Sequence, residues 1–261
     1  LTQFDGVQAD SERNRVIYEA GRYVDYYVIG SFESPQLFER YDDEGNWLPL
    51  DDQSWPADID RIPVKARAES IYFTLSIPRR EVSARAEGKH LPIVVMSHGY
   101  GSNRFEGMQM AGFFARYGFA TISIDGPSHG LPLNELQASL AEMVLTQYGI
   151  GDASRALSLD RAYNQDNDTM NTPDSGADFW TAYLFHTRDV VRQFALDYMQ
   201  MIRMIRSFDG VTPWKFDNNG DGVPEVSGDF DGDGIAEIGS ESTFTMVGGS
   251  LGGIMTMIMS G

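Results

Sequence analysis

The sequence predicts an α/β fold in which a mostly parallel sheet is flanked by helices. Residues 91–97, 120–124 and 244–247 are short continuous apolar runs, which are typical of strands covered on both faces. Between the first two runs, Phe105–Tyr117 has apolar residues at helical spacing, so this stretch predicts a right-handed βαβ unit. A chain of 261 residues, 42% of them hydrophobic, is large enough to bury such a core.

The elements around that unit follow from the same patterns. Residues 1–67 are expected to form an N-terminal β and loop region, in which Val16–Phe32 is rich in β-branched and aromatic residues. A strand is predicted at Ser70–Ile77 and ends at Pro78. Gly118 is expected to end the 105–117 helix, because the residue after a helix often needs a positive φ.

Two helices and a loop are predicted between the second apolar run, at 120–124, and the third, at 244–247. Helices are predicted at Leu133–Leu145 and Phe179–Phe208, the second from apolar residues that recur at helical spacing. Asn164–Asp178 is rich in Asn, Asp, Thr and Ser and is predicted to be a loop. A last helix is expected to follow the 244–247 strand.

Charge and composition exclude several classes of protein. The chain has 38 acidic against 20 basic residues, a net charge of −18 that repels nucleic-acid backbones. No apolar run reaches the roughly 20 residues of a membrane span. Cysteine is absent, which excludes disulfide scaffolds and thiolate chemistry. Divalent cations are the partners that this charge favours.

Ser250 is the strongest candidate for a catalytic residue. It stands in a G-x-S-x-G motif, with Gly248 and Gly252 on either side, between a predicted strand and a predicted helix. So sharp a turn strains the serine backbone, and glycines at these two positions remove side-chain collisions. The hydroxyl is then exposed above a helix N-terminus, whose dipole favours a developing negative charge. The alternative is a glycine-rich turn in which the serine has no chemical role.

A second motif is expected to complete an oxyanion hole. An acyl-transfer site needs two N–H donors, of which one belongs to the residue after the nucleophile, here Leu251. The other is predicted in the turn His98-Gly99-Tyr100-Gly101, which follows the 91–97 strand, and Tyr100 is its best candidate.

The order of these motifs resembles the α/β-hydrolase fold, especially its esterase and lipase members. The resemblance covers residues 68–130 and 186–261 and rests on HGYG at 98–101, DGPSHG at 125–130 and GGSLGG at 248–253. It implies that residues 68–261 are the N-terminal portion of a hydrolase domain and that residues 131–178 form a cap or lid over the site. It also implies a structural role for His129, not that of catalytic base.

The chain departs from this family after the nucleophile. In the family the acid and the histidine follow the serine, whereas only 11 residues follow Ser250 here and none is His, Asp or Glu. We therefore expect a C-terminal remainder of the same protein to complete the sheet and to supply both groups. Whether the chain is cleaved or truncated is left open.

An acidic repeat at 211–241 predicts calcium binding. Two copies of D-x-[DN]-x-D-G-x-x-E lie twelve residues apart, in a segment that carries nine acidic residues and one lysine between Asp209 and Glu241. Oxygens at positions 1, 3 and 5 converge when glycine at position 6 allows a tight turn, and such a set selects Ca²⁺. Position 12 lacks the glutamate of an EF-hand. The predicted ligands are Asp217, Asn219, Asp221, Val223 (carbonyl) and Glu225 in the first copy, and Asp229, Asp231, Asp233, Ile235 (carbonyl) and Glu237 in the second.

These observations lead to one main hypothesis and two alternatives. The main hypothesis is an exported, calcium-stabilised serine hydrolase that acts on a small-molecule or lipid ester. One alternative is a non-catalytic cell-surface or assembly component that reuses the fold and is stiffened by calcium. The other is a peptidase or acyltransferase with the same nucleophile turn. Export is expected because loops of this type often need millimolar calcium, which is found outside the cytosol.

Overall fold

The computed structural model describes residues 12–39, 41–42, 44–46, 48–56, 67–131, 133, 135–147, 161, 175–214, 217 and 222–261. The strands are β1 (Val24–Gln36), β2 (Arg67–Pro78), β3 (Ile93–Ser97), β4 (Ala120–Ile124) and β5 (Phe244–Gly248). The helices are α1 (Glu12–Gly21), α2 (Phe105–Ala115), α3 (Glu135–Gln147), α4 (Leu184–Arg206) and α5 (Leu251–Met259). Among these described helices, none combines the length and the apolar character that crossing a bilayer requires.

The five strands form one mixed sheet in the order β1-β2-β4-β3-β5. Strand β2 is antiparallel to both neighbours, β1 and β4. Strand β3 is parallel to β4 on one side and to β5 on the other. The α/β class is therefore confirmed, but the described sheet is mixed and not mostly parallel as predicted, because two of its four strand pairings are antiparallel. The predicted 1–67 region contributes β1, the edge strand that pairs along the whole of β2.

Helices cover both faces of the sheet because its central strands are apolar on both sides. Gly107 of α2 lies so close to Ser123 of β4 that a β-carbon on it would be 2.7 Å from the serine Cβ. On the opposite face, Ile122 and Val95 belong to a buried cluster that also contains Phe194 and Tyr198 of α4. Two layers of helices thus enclose the sheet, as the continuous apolar runs predict.

The register of β3 and β5 determines where the candidate site lies. Ser97, the last residue of β3, is opposite Gly248, the last residue of β5. Because the two strands are parallel, the turns that follow them leave the sheet at the same edge. The 98–102 turn and Ser250 are therefore neighbours.

Most sequence-predicted elements are present, with shifted ends. The predicted 179–208 helix begins only at Leu184, and α3 extends two residues beyond the predicted end of its helix. Gly118 has φ +81°, as expected for the residue that ends α2. The predicted 164–178 loop lies mainly outside the described residues. Helix α1 was not predicted.

Candidate active site and acidic loop

Ser250 occupies a strained turn between β5 and α5. Its φ and ψ are 54° and −120°, and besides Ser128 it is the one described non-glycine residue with a positive φ. Such a conformation is costly for a residue with a side chain and is kept where the surroundings enforce it. Ser250 is exposed, and its side chain does not cap the helix. Its hydroxyl thus stands at the N-terminus of α5, as the motif predicts.

The glycines on either side of Ser250 are required by close packing. A β-carbon on Gly248 would lie 2.5 Å from the carbonyl carbon of Gly252. A β-carbon on Gly252 would lie 2.1 Å from the Ser97 carbonyl oxygen. Gly249, by contrast, has open space around it. The sharp turn thus depends on glycine at the two positions that the motif specifies.

The turn after β3 lies directly against Ser250. A β-carbon on Gly99 would be 4.0 Å from Ser250 Cβ and 3.8 Å from the Gly249 carbonyl oxygen. Tyr100 follows Gly99, and its ring is 47% exposed. Gly101 has φ +75°, which lets the chain turn back toward α2. The two sequence motifs are therefore brought together.

The two amides predicted to bind the oxyanion are available. Within the described residues, neither the Tyr100 nor the Leu251 backbone N–H donates a hydrogen bond. The Gly99 N–H, in contrast, donates to the Glu106 carboxylate at 3.1 Å. Neither the Tyr100 nor the Leu251 N–H is therefore committed to a partner among the described residues. Their catalytic role stays a prediction.

His98 and His129 lie in the same region but have structural partners. His98 is fully buried, and its Nε2 accepts a hydrogen bond from the Gly126 N–H at 2.9 Å. His129 Nδ1 lies 2.8 Å from the Pro127 carbonyl oxygen, and its buried Nε2 has no hydrogen-bond partner among the described residues. Burial lowers the pKa of both rings, that of His129 to about 3. Neither ring hydrogen-bonds Ser250.

The other two histidines also bind backbone groups. His186 is buried, with Nδ1 and Nε2 each 2.9 Å from a carbonyl oxygen, of Gln53 and Asp178 respectively. His90 Nδ1 accepts a hydrogen bond from the Glu241 N–H at 3.3 Å. No histidine of the chain therefore stands as general base to Ser250.

Residues 175–180, at the end of the predicted 131–178 cap segment and just beyond it, pack onto the 98–102 turn. Ser175 Oγ donates to the Ser102 carbonyl at 2.7 Å, and the Gly176 N–H donates to the Ser128 carbonyl. A β-carbon on Gly176 would lie 3.1 Å from the Tyr100 ring and 3.2 Å from the Gly101 nitrogen. The Tyr100 ring centroid is 6.3 Å from that of Trp180, which is 40% exposed. This segment thus supports the turn from one side.

Arg161 lies within the predicted cap segment and is tied to the core of the domain. It is buried, and its guanidinium donates to Asp197 at 2.6 Å and to the Asp125 carbonyl at 3.2 Å. Asp197 of α4 is itself buried and accepts a hydrogen bond from Ser34 at 2.6 Å. Desolvation raises the pKa of this carboxyl, while Arg161 opposes the rise.

The second acidic copy forms a compact cluster. One carboxylate oxygen from each of its four acidic residues lies within 4.8 Å of the others; they are Asp229, Asp231, Asp233 and Glu237. Gly234, at position 6, has φ +83°, and its N–H donates to Asp229 at 2.8 Å. The turn is therefore as tight as the motif predicts, and this set of oxygens could hold a metal ion.

Two arginines lie beside this cluster. Arg85, with its side chain 4% exposed, pairs with Asp231 and Asp25, and its guanidinium lies 3.4 Å from Glu237. Arg80 pairs with Asp233. Glu237 is buried, and burial together with the neighbouring carboxylates raises its pKa to about 7 despite Arg85. The loop thus has an excess of negative charge, which a cation would offset.

The first acidic copy is described only in part. Asn219 and Asp221 fall outside the described residues. Asp217 is exposed and accepts a hydrogen bond from the Gly222 N–H at 2.7 Å, Val223 is exposed, and Glu225 is buried. The five ligands predicted for this copy stay a prediction.

Sequence reasoning missed the residues that hold these two sites in place. Glu106, which binds the Gly99 N–H, and Arg85, which joins the acidic loop to β1, were not singled out. Glu106 is in the first turn of α2, and an acidic residue there is a detectable signal. Arg85 gives no such signal, because its partners Asp25 and Asp231 are far from it in the sequence.

Comparisons with known proteins add little to this geometry. No protein-family model matches the chain, and no curated protein matches it. Among solved structures, a ferulic acid esterase from Streptomyces cinnamoneus is similar with a TM-score of 0.38 and 11% identity, over 90% of this chain and 55% of that one. The chain thus spans about half of that esterase, and a similarity of this size establishes neither a shared family nor a shared activity.

Proposed function

We propose that this chain carries the nucleophile and the oxyanion hole of a serine ester hydrolase with an α/β-hydrolase-type fold. The observation that carries the proposal is Ser250, held with a positive φ between a parallel strand and a helix, next to the 98–101 turn. A spectator serine would not need this strain, because a relaxed turn would serve equally well.

The chemistry follows from the groups around Ser250. Its Oγ attacks the ester carbonyl carbon, a base takes the hydroxyl proton, and the carbonyl oxygen becomes an oxyanion. The Tyr100 and Leu251 N–H groups, together with the positive end of α5, stabilise that charge. The alcohol leaves with a proton, and water then hydrolyses the acyl-enzyme. Ester substrates with an apolar part are favoured, since the exposed Tyr100 and Trp180 rings lie beside the turn.

A fluorophosphonate probe tests this proposal on the protein made from its complete reading frame. Labelling should map to Ser250 and disappear in Ser250→Ala. Ser260→Ala, at the exposed end of α5, is the matched control and should be labelled like the wild type. Labelling that persists in Ser250→Ala would refute the assignment. Comparing ester with amide substrates separates an esterase from a peptidase.

We further propose that the base and the acid come from sequence beyond residue 261, which would also cover the open edge of the sheet. Among the described strands, β5 pairs with β3 alone. Ile254, Met257 and Ile258 of α5, the helix that follows β5, are exposed apolar residues. In the complete protein, Met257→Glu should lower the melting temperature, because it would bury a charge. Met199→Glu, at an exposed position of α4, is the control and should not lower it.

We propose calcium as the ion of the acidic loop. Its ligands would be Asp229, Asp231, Asp233, Glu237 and the Ile235 carbonyl, with a second ion at the first copy. An all-oxygen ligand set favours Ca²⁺ over zinc or copper. The ion's role would be structural, because this segment lies between α4 and β5 and Ser250 follows β5. A calcium requirement of this kind supports an exported protein.

Thermal unfolding tests the calcium proposal. Millimolar Ca²⁺ should raise the melting temperature, EDTA should reverse the rise, and Asp229→Asn should abolish it. Glu241→Gln, an exposed change in the same acidic segment but outside the cluster, should keep the full response. An equal response to Mg²⁺ would argue against calcium selectivity. A calcium response without any Ser250 labelling would instead favour a non-catalytic, calcium-stiffened component.

A further inference from the structure

The peptide group between Gly99 and Tyr100 is fixed by two hydrogen bonds to its carbonyl oxygen. The Gly99 carbonyl lies 2.8 Å from His98 Nδ1 and accepts a second hydrogen bond from the Ser102 N–H at 3.1 Å. A carbonyl oxygen can only accept, so His98 Nδ1 carries the proton. Two donors from different positions therefore fix this one oxygen.

The other ring nitrogen of His98 completes the arrangement. Its Nε2 accepts the Gly126 N–H at 2.9 Å, so it carries no proton. The ring is therefore neutral, with its single proton on Nδ1. His98 is fully buried between the turns that follow β3 and β4, and burial lowers its pKa, which keeps this neutral form.

Fixing the Gly99 carbonyl also fixes the Tyr100 amide. In a planar trans peptide the C=O and the following N–H point in opposite directions. His98 and Ser102 hold the oxygen on one side, so the Tyr100 N–H must face the other side. The preceding peptide is held as well, because Glu106 binds the Gly99 N–H. Gly99 itself lies against Ser250.

We infer that His98 is a positioning residue, which aims the Tyr100 N–H at the oxyanion through its hydrogen bond to the Gly99 carbonyl. The inference rests on the proposed function of Ser250. His98 does not touch the substrate and transfers no proton; it keeps the peptide from rotating. Its contribution therefore belongs to the transition state, where the oxyanion exists, and not to substrate binding.

Kinetics of two isosteric variants test this role in the complete protein. Asparagine places its amide near the Nδ1 position and retains a donor to the Gly99 carbonyl, whereas glutamine reaches toward the Nε2 position. His98→Gln should lower kcat for a p-nitrophenyl ester by about 10- to 100-fold, less than the roughly 100- to 1000-fold cost of deleting a donor. KM should change less than twofold, and His98→Asn should recover most of kcat.

A trifluoromethyl ketone distinguishes positioning from general structural damage. Its tetrahedral adduct on Ser250 places an oxyanion in the hole, so its inhibition constant should rise in His98→Gln by the same factor by which kcat falls. Wild-type kcat in both variants would overturn the inference. So would a loss of kcat with an unchanged inhibition constant, or His98→Gln outperforming His98→Asn.

A spectroscopic measurement keeps this test separate from the proposed function. ¹⁵N NMR of the His98 ring in the wild type should show a proton on Nδ1 and an unprotonated Nε2 at pH 7. The opposite tautomer would overturn the inference even in an active enzyme. A wild-type protein that is not labelled at Ser250 would refute the esterase proposal instead, whatever the tautomer.

Discussion

The α-carbon of Gly252 faces the Ser97 carbonyl oxygen so closely that a β-carbon on it would lie 2.1 Å away. The contact joins the first turn of α5 to the last residue of β3. Ser250 is therefore fixed relative to the 98–101 turn by direct backbone packing. This relationship explains why the second glycine of the motif cannot be replaced without moving the helix.

Gly252→Ala should displace α5 or prevent folding. Overpacking a tight site costs about 1–3 kcal/mol of the free energy of unfolding, and this backbone contact is closer than most. Gly253→Ala is the matched control, because its β-carbon would lie 3.4 Å from the nearest atom, the Gly248 carbonyl oxygen. In a helix that change should be neutral or stabilising by up to about 1 kcal/mol. Urea denaturation measures both, and equal stability of the two variants would contradict the packing.

Gly176→Ala should lower activity although its β-carbon would not contact Ser250. Gly176 has φ +87°, and a β-carbon on it would press on His129, Tyr100 and Gly101. We expect a loss of about 1–3 kcal/mol in stability together with a lower kcat, because the 98–102 turn must shift. Gly45→Ala has nearly the same φ, +84°, but open space around it. It isolates the cost of backbone strain and should leave kcat unchanged; equal effects of the two variants on kcat would contradict the contact.

Replacement of Arg85 should destabilise the protein more than replacement of Arg80. Arg85 is buried between Asp25 and the acidic loop, so Arg85→Met leaves carboxylates without their partner and should cost about 3–5 kcal/mol. Arg80 pairs with Asp233 at the surface, and Arg80→Met should cost less than about 1 kcal/mol. Chemical denaturation in EDTA gives the comparison, and a larger loss for Arg80→Met would contradict it.

The buried ring of His129 should lower stability as the pH drops below 6.5, whereas the raised pKa of Glu237 acts in the opposite direction. Burial lowers the pKa of His129 from 6.5 to about 3, so below pH 6.5 the unfolded chain binds a proton that the folded chain does not. Each such histidine lowers the free energy of unfolding by about 1.4 kcal/mol per pH unit in that window. Urea titrations between pH 7.5 and 5.5 measure this slope. It should be smaller in His129→Asn, and an unchanged slope would contradict the assignment.

The sheet could be predicted from the sequence where the apolar runs are continuous. Residues 91–97, 120–124 and 244–247 correspond to β3, β4 and β5, because strands buried on both faces need apolar residues throughout. Strand β1 alternates less clearly, since it is an edge strand with several exposed side chains. Its pairing with β2 depends on partners more than thirty residues away, which no local pattern specifies.

The candidate site could be predicted only in its motifs. Ser250 and the HGYG turn can be recognised from the sequence, because their backbone geometry requires glycine at fixed spacing. The hydrogen bonds of His98 with Gly126 and of Arg161 with Asp197 involve partners brought together by the fold, so no spacing indicates them. The acidic repeat could be predicted because its acidic residues lie close together in the sequence.

The two ends of the acidic segment, at Phe208 and Ser240, lie next to each other in the fold. The Ser240 N–H donates to the Phe208 carbonyl at 3.3 Å, so the residues between them form a closed excursion from the end of α4. An excursion with adjoining ends can be shortened, exchanged or transplanted with little change in the path of the chain on either side. The segment is therefore a natural place to graft another loop upstream of Ser250.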